Sequence, residues 1–237
     1  MKIALASQLS DININNNFNL LKNTMIELKR KVDLISFGEA FLQGFDALSW
    51  DYQKDKEIAI CVESDYIKDI QIIAKYNIIS VSFGFYEVFE ESIYCSYIVI
   101  DNNGEIINHY RRVSPGWKET TKCDYHYKEG REFSTFNYIG KEILVAVCGD
   151  LWYENNIYSI NKINKDLILW PLHIDYKIEQ WESEFNDYLF QTSKLKQPVL
   201  MINNISKTSY GGCYYFKNGK IISELPMGRE GFLVIDI

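Results

Sequence analysis

Histidine, closely paired cysteines and long apolar runs are all scarce in this chain of 237 residues. The three histidines, His109, His126 and His173, are scattered, and none of the five cysteines forms a Cys-x-x-Cys pair. The odd number and wide spacing of the cysteines argue against a disulfide framework and a zinc site, so we expect no metal. No apolar stretch approaches the roughly 18 residues that a membrane-spanning helix needs.

Basic residues are outnumbered as well. The 25 Lys and Arg against 32 Asp and Glu give a net charge of −7 at pH 7, and no basic run reverses this balance. We therefore expect no nucleic-acid-binding surface. The first residues carry one lysine and a short apolar run that alternates into polar residues, which favours a first strand over a signal peptide. These absences predict a cytoplasmic protein with no nucleic-acid and no membrane partner.

Apolar and aromatic residues are abundant, at 47% and 15% of the chain, as in a compact globular protein. No linker, repeat or low-complexity tract interrupts the chain, which predicts a single domain over residues 1–237. The hydrophobic patterns predict about ten to twelve strands and four main helices. They begin with a β-α-β unit over residues 2–8, 17–31 and 33–37, followed by a helix at 58–76, a strand at 78–85 and a hairpin at 94–110. Later elements are expected at 143–147, 166–170, 179–196, 198–203, around 217–220 and at 232–237.

One cysteine stands where a predicted buried strand ends. The unbroken apolar run from Ile143 to Val147 is typical of a strand covered on both faces, and Cys148 follows it directly. Taken alone, the stretch favours a small buried thiol with no chemical role. The alternative is a nucleophile, because the carboxyl ends of strands in α/β folds open onto crevices.

Two further groups of charged residues follow predicted strands. Glu39 comes after the strand at 33–37 among phenylalanines, so it is either a solvated loop charge or a carboxylate whose desolvation suits it to act as a base. The loop after the hairpin holds Arg112 and Lys118, either as solvated charges anchored by Trp117 or as a cation for the thiol and an oxyanion. A base, a cation and a thiol are together sufficient for covalent acyl transfer.

The same segments resemble the nitrilase superfamily, the carbon-nitrogen hydrolases, over almost the whole chain. DLISFGEAFLQGF resembles the family's E-x-F-x-x-G-Y/F segment, and ILVAVCGDLWYE resembles its iCyDlrFPE nucleophile motif. YCSYIVIDNNGEIINHYRR resembles the hairpin before the catalytic lysine. The segments LILWPLH, PVLMINN and GGCYYFKNGKIISE resemble later strands and the closing hairpin.

The resemblance implies roles for individual residues. It implies Glu39 as the general base and Cys148 as the nucleophile, with Asp150 and Glu154 as structural acids. The family's lysine ends a YRK triplet, but Arg112 occupies that position here. We therefore expect Lys118 to supply the catalytic cation through a shifted loop, followed by Glu119 as a second catalytic glutamate, with Arg112 as the alternative cation. Proposed substrate-binding residues are Gly149, Phe45, Trp117, Trp152, His173 and Arg112; Glu87 is either a positioning residue or a surface residue.

The fold implied by the resemblance is a four-layer α-β-β-α sandwich of two mixed sheets with helices outside, paired into a homodimer or a higher homo-oligomer. The implied activity is cofactor-free hydrolysis of a non-peptide C–N bond in a small amide through a thioester, of the amidase, ω-amidase or carbamoyl-amide type. Three alternatives remain: nitrile hydrolysis, a binding or scaffold protein whose chemistry has lapsed because the lysine is displaced, and a redox-active cysteine.

Overall fold

The computed structural model describes residues 1–237 and contains twelve strands. The first six are β1 (Lys2–Ser7), β2 (Leu34–Ser36), β3 (Ser80–Phe89), β4 (Ser92–Ile100), β5 (Ile106–Arg111) and β6 (Thr135–Tyr138). The other six are β7 (Lys141–Val145), β8 (Leu167–Leu172), β9 (Val199–Asn203), β10 (Cys213–Lys217), β11 (Lys220–Leu225) and β12 (Gly231–Asp236). The helices are α1 (Ile14–Leu28), the single-turn α2 (Tyr52–Asp55), α3 (Asp65–Asn77), α4 (Glu154–Lys162) and α5 (Ile178–Ser193).

The strands form two mixed six-stranded sheets. The first has the order β12-β1-β2-β3-β4-β5 and the second the order β11-β10-β9-β8-β7-β6. In the first sheet β1, β2 and β3 run parallel, and in the second β7, β8 and β9 do so, with antiparallel strands on both sides. The parallel strands of each sheet thus occupy its centre, where helical crossovers can cover them.

Three apolar clusters separate four layers. The first cluster joins the two sheets, for example Leu5 and Val99 of the first with Val145 and Leu200 of the second. The second lies between the first sheet and helices α1 and α3, and the third between the second sheet and helices α4 and α5. Alternate residues of the central strands enter different clusters, as the twofold side-chain period of a strand requires. The predicted α-β-β-α sandwich is confirmed.

The boundaries of several elements differ from the sequence-based expectations. Helix α3 begins at Asp65 instead of residue 58, because Ser64 caps it and Ile60 pairs with the outer part of β3. The helix ends at Asn77 and is capped by Ile78, which has φ +53°, so β3 starts two residues later than predicted. None of the helices is both long and apolar enough to cross a bilayer.

Candidate active site

Glu39 lies just beyond β2, and an asparagine from the other sheet fixes its backbone. The Asn204 Oδ1 atom accepts from the Gly38 N–H at 2.8 Å, and the Asn204 amide donates to the Glu39 carbonyl at 2.8 Å. The Glu39 N–H donates to the carbonyl of Leu172 at the end of β8. Asn204 was not identified as a site residue from sequence, although it follows β9 directly and the PVLMINN segment contains it.

The carboxylate of Glu39 is completely buried and fully paired. Its Oε1 atom accepts from Nη1 of Arg112 at 2.6 Å and from the Cys95 thiol at 3.3 Å. Its Oε2 atom accepts from the backbone N–H of His173 at 3.2 Å. A buried charge requires such partners, so the ion pair with Arg112 holds this carboxylate in place. The buried thiol of Cys95, in β4, thus contacts the proposed base.

The structure brings Arg112 to Glu39 and leaves Lys118 elsewhere. The Lys118 amino group donates to the carbonyl of Tyr127 at 2.6 Å and pairs with Glu129 at 2.7 Å. The side chain of Glu119 is exposed to solvent and makes no hydrogen bond. The expected shift of the loop that would carry Lys118 towards the thiol is therefore not observed, and the alternative cation, Arg112, occupies the position.

Hydrogen bonds to Asp150 determine the path of the loop that follows Arg112. Its Oδ1 atom accepts the backbone N–H groups of Val113 and Ser114, at 3.2 and 2.7 Å. Its Oδ2 atom accepts the Tyr110 hydroxyl at 2.5 Å and the Val147 N–H at 2.7 Å. One buried carboxylate thus ties the residues after Arg112 to the start of the nucleophile segment, which turns the chain away before it reaches Lys118.

Cys148 lies three residues beyond β7, at the start of a short 3₁₀ turn over Cys148–Trp152. Its φ of +45° is unusual for a residue with a side chain and marks local backbone strain of the kind that clusters at functional sites. Trp170 holds the turn through an indole hydrogen bond of 2.8 Å to the Cys148 carbonyl. The sequence expectation of a cysteine just past a buried strand is therefore correct, although the strand spans Lys141–Val145 and so ends two residues earlier than predicted.

Burial raises the pKa of the Cys148 thiol to about 12. This value is a net result, in which the negative charge of Glu39 and a hydrogen bond to it also act upward, while Arg112 and the His173 N–H act downward. Burial alone would lower the pKa of Arg112, but the adjacent Glu39 carboxylate raises it above its ordinary value. The resting site therefore contains a neutral thiol beside a paired carboxylate and guanidinium, so an attack by sulfur requires a base.

The thiol opens onto a cavity of about 360 Å³. Three carboxylates line this cavity and none of them forms a salt bridge; they are those of Asp175, Glu184 and Asp187. Aromatic walls complete the lining, and no lysine or arginine contributes. A larger depression of about 570 Å³ runs along β5, but it is of mixed charge and does not contain the thiol.

Only some of the residues that were expected to line the pocket do so. Trp152 and His173 line the cavity, and Phe45 stacks on the His173 ring at 4.2 Å between centroids. Burial lowers the pKa of His173 below its usual 6.5, so the imidazole adds no positive charge at pH 7. Trp117 instead packs in an aromatic cluster with Trp50, Tyr86 and Tyr127 and does not reach the cavity. Gly149 lies against the guanidinium of Arg112.

Glu87 is a buried residue and not a surface one. Its carboxylate accepts two hydrogen bonds from Arg111, one from Ser96 at 2.6 Å and one contact from His109 at 2.9 Å. These partners lower the pKa of Glu87 to about 2, against the effect of burial. Arg111 is thereby fixed beside Arg112 in the chain, with its guanidinium directed away from Glu39.

Residues 3–237 match the model of the family described as carbon-nitrogen hydrolase. A cyanide hydratase of Neurospora crassa is 35% identical over 91 residues, which are 35% of this chain and 26% of that protein. An arylacetonitrilase of Fusarium vanettenii is 31% identical over 96 residues, or 37% of this chain and 28% of its own length. These matches therefore span only about a quarter of the curated relatives.

Solved structures with the same fold cover nearly the whole chain. A mutant of the Nesterenkonia AN1 amidase from the nitrilase superfamily superposes with a TM-score of 0.82 at 15% identity, covering 100% of this chain and 90% of that one. The glutamine-dependent NAD+ synthetase of Acinetobacter baumannii gives a TM-score of 0.82 at 19% identity, covering 98% of this chain and 44% of that one. At these identities the likeness concerns the fold.

Proposed function

Since the chain belongs to the carbon-nitrogen hydrolase family, we propose that it hydrolyses a non-peptide C–N bond of a small amide. Cys148 is the nucleophile, Glu39 the general base and Arg112 the cation beside the developing oxyanion. The observation that carries this assignment is the buried contact of 2.6 Å between Arg112 and Glu39, next to a thiol that faces a cavity. The thiol, the carboxylate and the guanidinium are thus the three groups that covalent acyl transfer requires.

In the first half of the reaction the Cys148 sulfur attacks the amide carbon while Glu39 takes the thiol proton. The carbonyl π electrons move to oxygen, and the resulting oxyanion is stabilised by the Arg112 guanidinium and by a backbone N–H such as that of Gly149. The C–N bond then breaks as Glu39 returns the proton to the leaving nitrogen, which gives an amine or ammonia. A thioester on Cys148 remains.

In the second half Glu39 takes a proton from water, whose oxygen attacks the thioester carbon. The C–S bond breaks, the sulfur recovers the proton from Glu39, and a carboxylic acid leaves. The sum is one amide and one water converted to one acid and one amine. Arg112 cannot exchange protons in this cycle, because a guanidinium is effectively never deprotonated in a protein.

The cavity lining narrows the substrate class. Asp175, Glu184 and Asp187 contribute negative charge without a cationic neighbour in the lining, and the Arg112–Glu39 pair is neutral as a unit. Asp175 and Asp187 are exposed and Glu184 is half-buried, so salt screens these charges in part, but a cleft lined by one sign of charge still attracts ligands of the opposite sign. We therefore expect uncharged and cationic amides to be better substrates than amides that carry a carboxylate.

Nitrile hydrolysis is the second candidate, and the similarity to a cyanide hydratase and an arylacetonitrilase favours it. The same thiol would add to a nitrile carbon. The two activities are distinguished with an amide and a nitrile of the same carbon chain, for example propionamide and propionitrile. Released ammonia and the organic product are measured for each.

The test of the proposal combines turnover with trapping of the thiol. The wild type, Glu39→Gln, Cys148→Ala and Cys213→Ala are assayed on neutral, cationic and anionic amides, and each is treated with fluoroacetamide and analysed by peptide mass spectrometry. Cys213 is the control, because its thiol is buried in β10, where Glu39 does not act on it. We expect ammonia release in the wild type and Cys213→Ala only, and a Cys148 adduct in both of these proteins.

Absence of both turnover and adduct at Cys148, with the exposed Cys61 labelling normally, would contradict the enzyme assignment and favour a lapsed binding protein. Oxidation of Cys148 by peroxide without any turnover would instead favour a redox role. Turnover that persists in Cys148→Ala would exclude this residue as the nucleophile.

A further inference from the structure

The guanidinium of Arg112 is held by a different acceptor at each of its three nitrogens. Nε donates to the Ser114 hydroxyl at 2.9 Å, Nη1 to Glu39 at 2.6 Å and Nη2 to the Pro115 carbonyl at 3.1 Å. The side chain is only 3% exposed. The planar group therefore has one orientation, and a displacement would break at least one charge-assisted hydrogen bond.

The space that this guanidinium occupies exists because residue 149 has no side chain. A Cβ atom on Gly149 would lie 2.4 Å from Nη2 of Arg112 and 2.8 Å from the Ser114 hydroxyl. Carbon and nitrogen atoms pack at roughly 3.5 Å or more, so the two cannot coexist without movement. The φ angle of Gly149 is not in the positive region, so the backbone itself would accept alanine. The need for glycine is steric and comes from Arg112 and from the Ser114 hydroxyl that Arg112 holds.

A lysine at position 112 would not create the same conflict. The lysine Nζ and the arginine Cζ are both the fifth atom beyond Cα, and only the arginine extends further with its two terminal nitrogens. The Cζ atom of Arg112 lies 3.4 Å from the position that a Cβ atom on residue 149 would take, which is close to ordinary contact. A lysine that follows the same path thus removes the closest contact, and because it lacks the Nε donor that holds the Ser114 hydroxyl, this hydroxyl can rotate away from the methyl group.

We propose that Gly149 is a positioning residue for Arg112, and that positions 112 and 149 form a coupled pair in which arginine requires glycine while lysine tolerates alanine. This inference rests on the proposed function, because it assigns to Gly149 the task of admitting the cation that faces the oxyanion. Gly149 acts on the reaction through the guanidinium, in addition to any contact of its own N–H with the oxyanion.

The test is a double-mutant cycle of wild type, Gly149→Ala, Arg112→Lys and the double variant. The readouts are the rate of Cys148 alkylation by fluoroacetamide, kcat/KM for the best amide, and the midpoint of thermal unfolding. We expect Gly149→Ala to slow alkylation and turnover by about 100-fold, because the guanidinium leaves Glu39 and the thiol. The double variant should be at least about tenfold faster than Gly149→Ala, although it carries one more substitution.

Arg111→Lys in the Gly149→Ala background is the matched control. Arg111 is the adjacent arginine, but its guanidinium pairs with Glu87 and does not approach Gly149. This control should remain as slow as Gly149→Ala. Ser114→Ala in the same background removes the second close contact and should recover less activity than Arg112→Lys, because the clash with Nη2 remains.

Wild-type rates in Gly149→Ala, or a double variant whose rate is the product of the two single effects, would overturn the coupling. Rescue by Arg111→Lys would do so too, since it would show a general effect of lysine. If the wild type neither turns over nor alkylates, the proposed function fails, while the unfolding midpoints still measure the coupling. A midpoint lowered by Gly149→Ala and restored by Arg112→Lys would then support the packing relation alone.

Discussion

Replacing Arg112 by methionine removes the cation from a buried ion pair and provides the sharpest comparison with Lys118. Glu39 is fully buried and Arg112 is 3% exposed. With the charge centres about 4 Å apart, their attraction is about 4 kcal/mol at an effective dielectric constant of about 20. Loss of one partner from a buried pair typically costs about 3–5 kcal/mol, because the other charge is left uncompensated. We expect Arg112→Met to lower the free energy of unfolding by an amount in this range.

Lys118→Met is the matched control. The Lys118–Glu129 pair has a similar length of 2.7 Å, but its side chains are 13% and 29% exposed. Partly exposed pairs contribute about 0–1 kcal/mol after solvent screening. Urea unfolding at pH 7, followed by tryptophan fluorescence, measures both variants. Adding Glu39→Gln to Arg112→Met should recover part of the loss, because the buried charge is then removed.

The same two variants also test which of the two cations, Arg112 or Lys118, takes part in the reaction. We expect Arg112→Met to lower kcat/KM by about 100- to 1,000-fold, the usual effect of removing one oxyanion partner. Lys118→Met should stay within about threefold of the wild type, because its amine only closes a surface loop. Equal losses of stability in the two variants, or a larger loss of activity in Lys118→Met, would refute the assignment of Arg112.

Three further predictions concern other charged groups. Partners in the fold depress the pKa of Glu87 from 4.5 to about 2, so its stabilisation is present above pH 4.5 and is lost as pH falls towards 2. This amounts to roughly 3 kcal/mol, and urea titrations between pH 5 and 2 should show a shallower loss of stability in Glu87→Gln. Asp187→Asn should raise KM several-fold for a cationic amide and lower it for an anionic one, with both effects reduced at about 1 M salt. Asp150→Asn should destabilise the protein by about 1–3 kcal/mol and slow alkylation of Cys148, since an amide cannot accept all four hydrogen bonds of the carboxylate.

The parts of the structure that follow from local pattern could be predicted from the sequence. Unbroken or alternating apolar runs specify the central strands, and the chemistry of strand ends indicates Glu39 and Cys148. Both residues are indeed brought together, although 109 positions separate them, because β2 and β7 belong to the parallel, interior strands of two facing sheets. The resemblance in sequence added the pairing of these sheets, which no periodicity could supply.

The cation that stands beside Glu39 could not be chosen from sequence, because its position depends on contacts between distant segments. The loop after Arg112 turns where Asp150 binds the N–H groups of Val113 and Ser114, 37 and 36 positions away in the chain. The sequence around Lys118 gives no indication of these hydrogen bonds to Asp150. The partners of Lys118 are equally hidden, since Tyr127 offers only a backbone carbonyl, which any residue type would provide.

An arginine at the position of an expected lysine therefore has to be interpreted together with its surroundings. A guanidinium is wider than an ammonium and needs acceptors in its plane, and the fold supplies Ser114, Pro115 and Glu39 in those directions. It also needs an empty volume, which only Gly149 provides. Because these features concern the shape and orientation of an arginine, and not merely its charge, the site is built for a guanidinium. The substitution at position 112 is thus accommodated by the site and does not by itself indicate that the chemistry has lapsed.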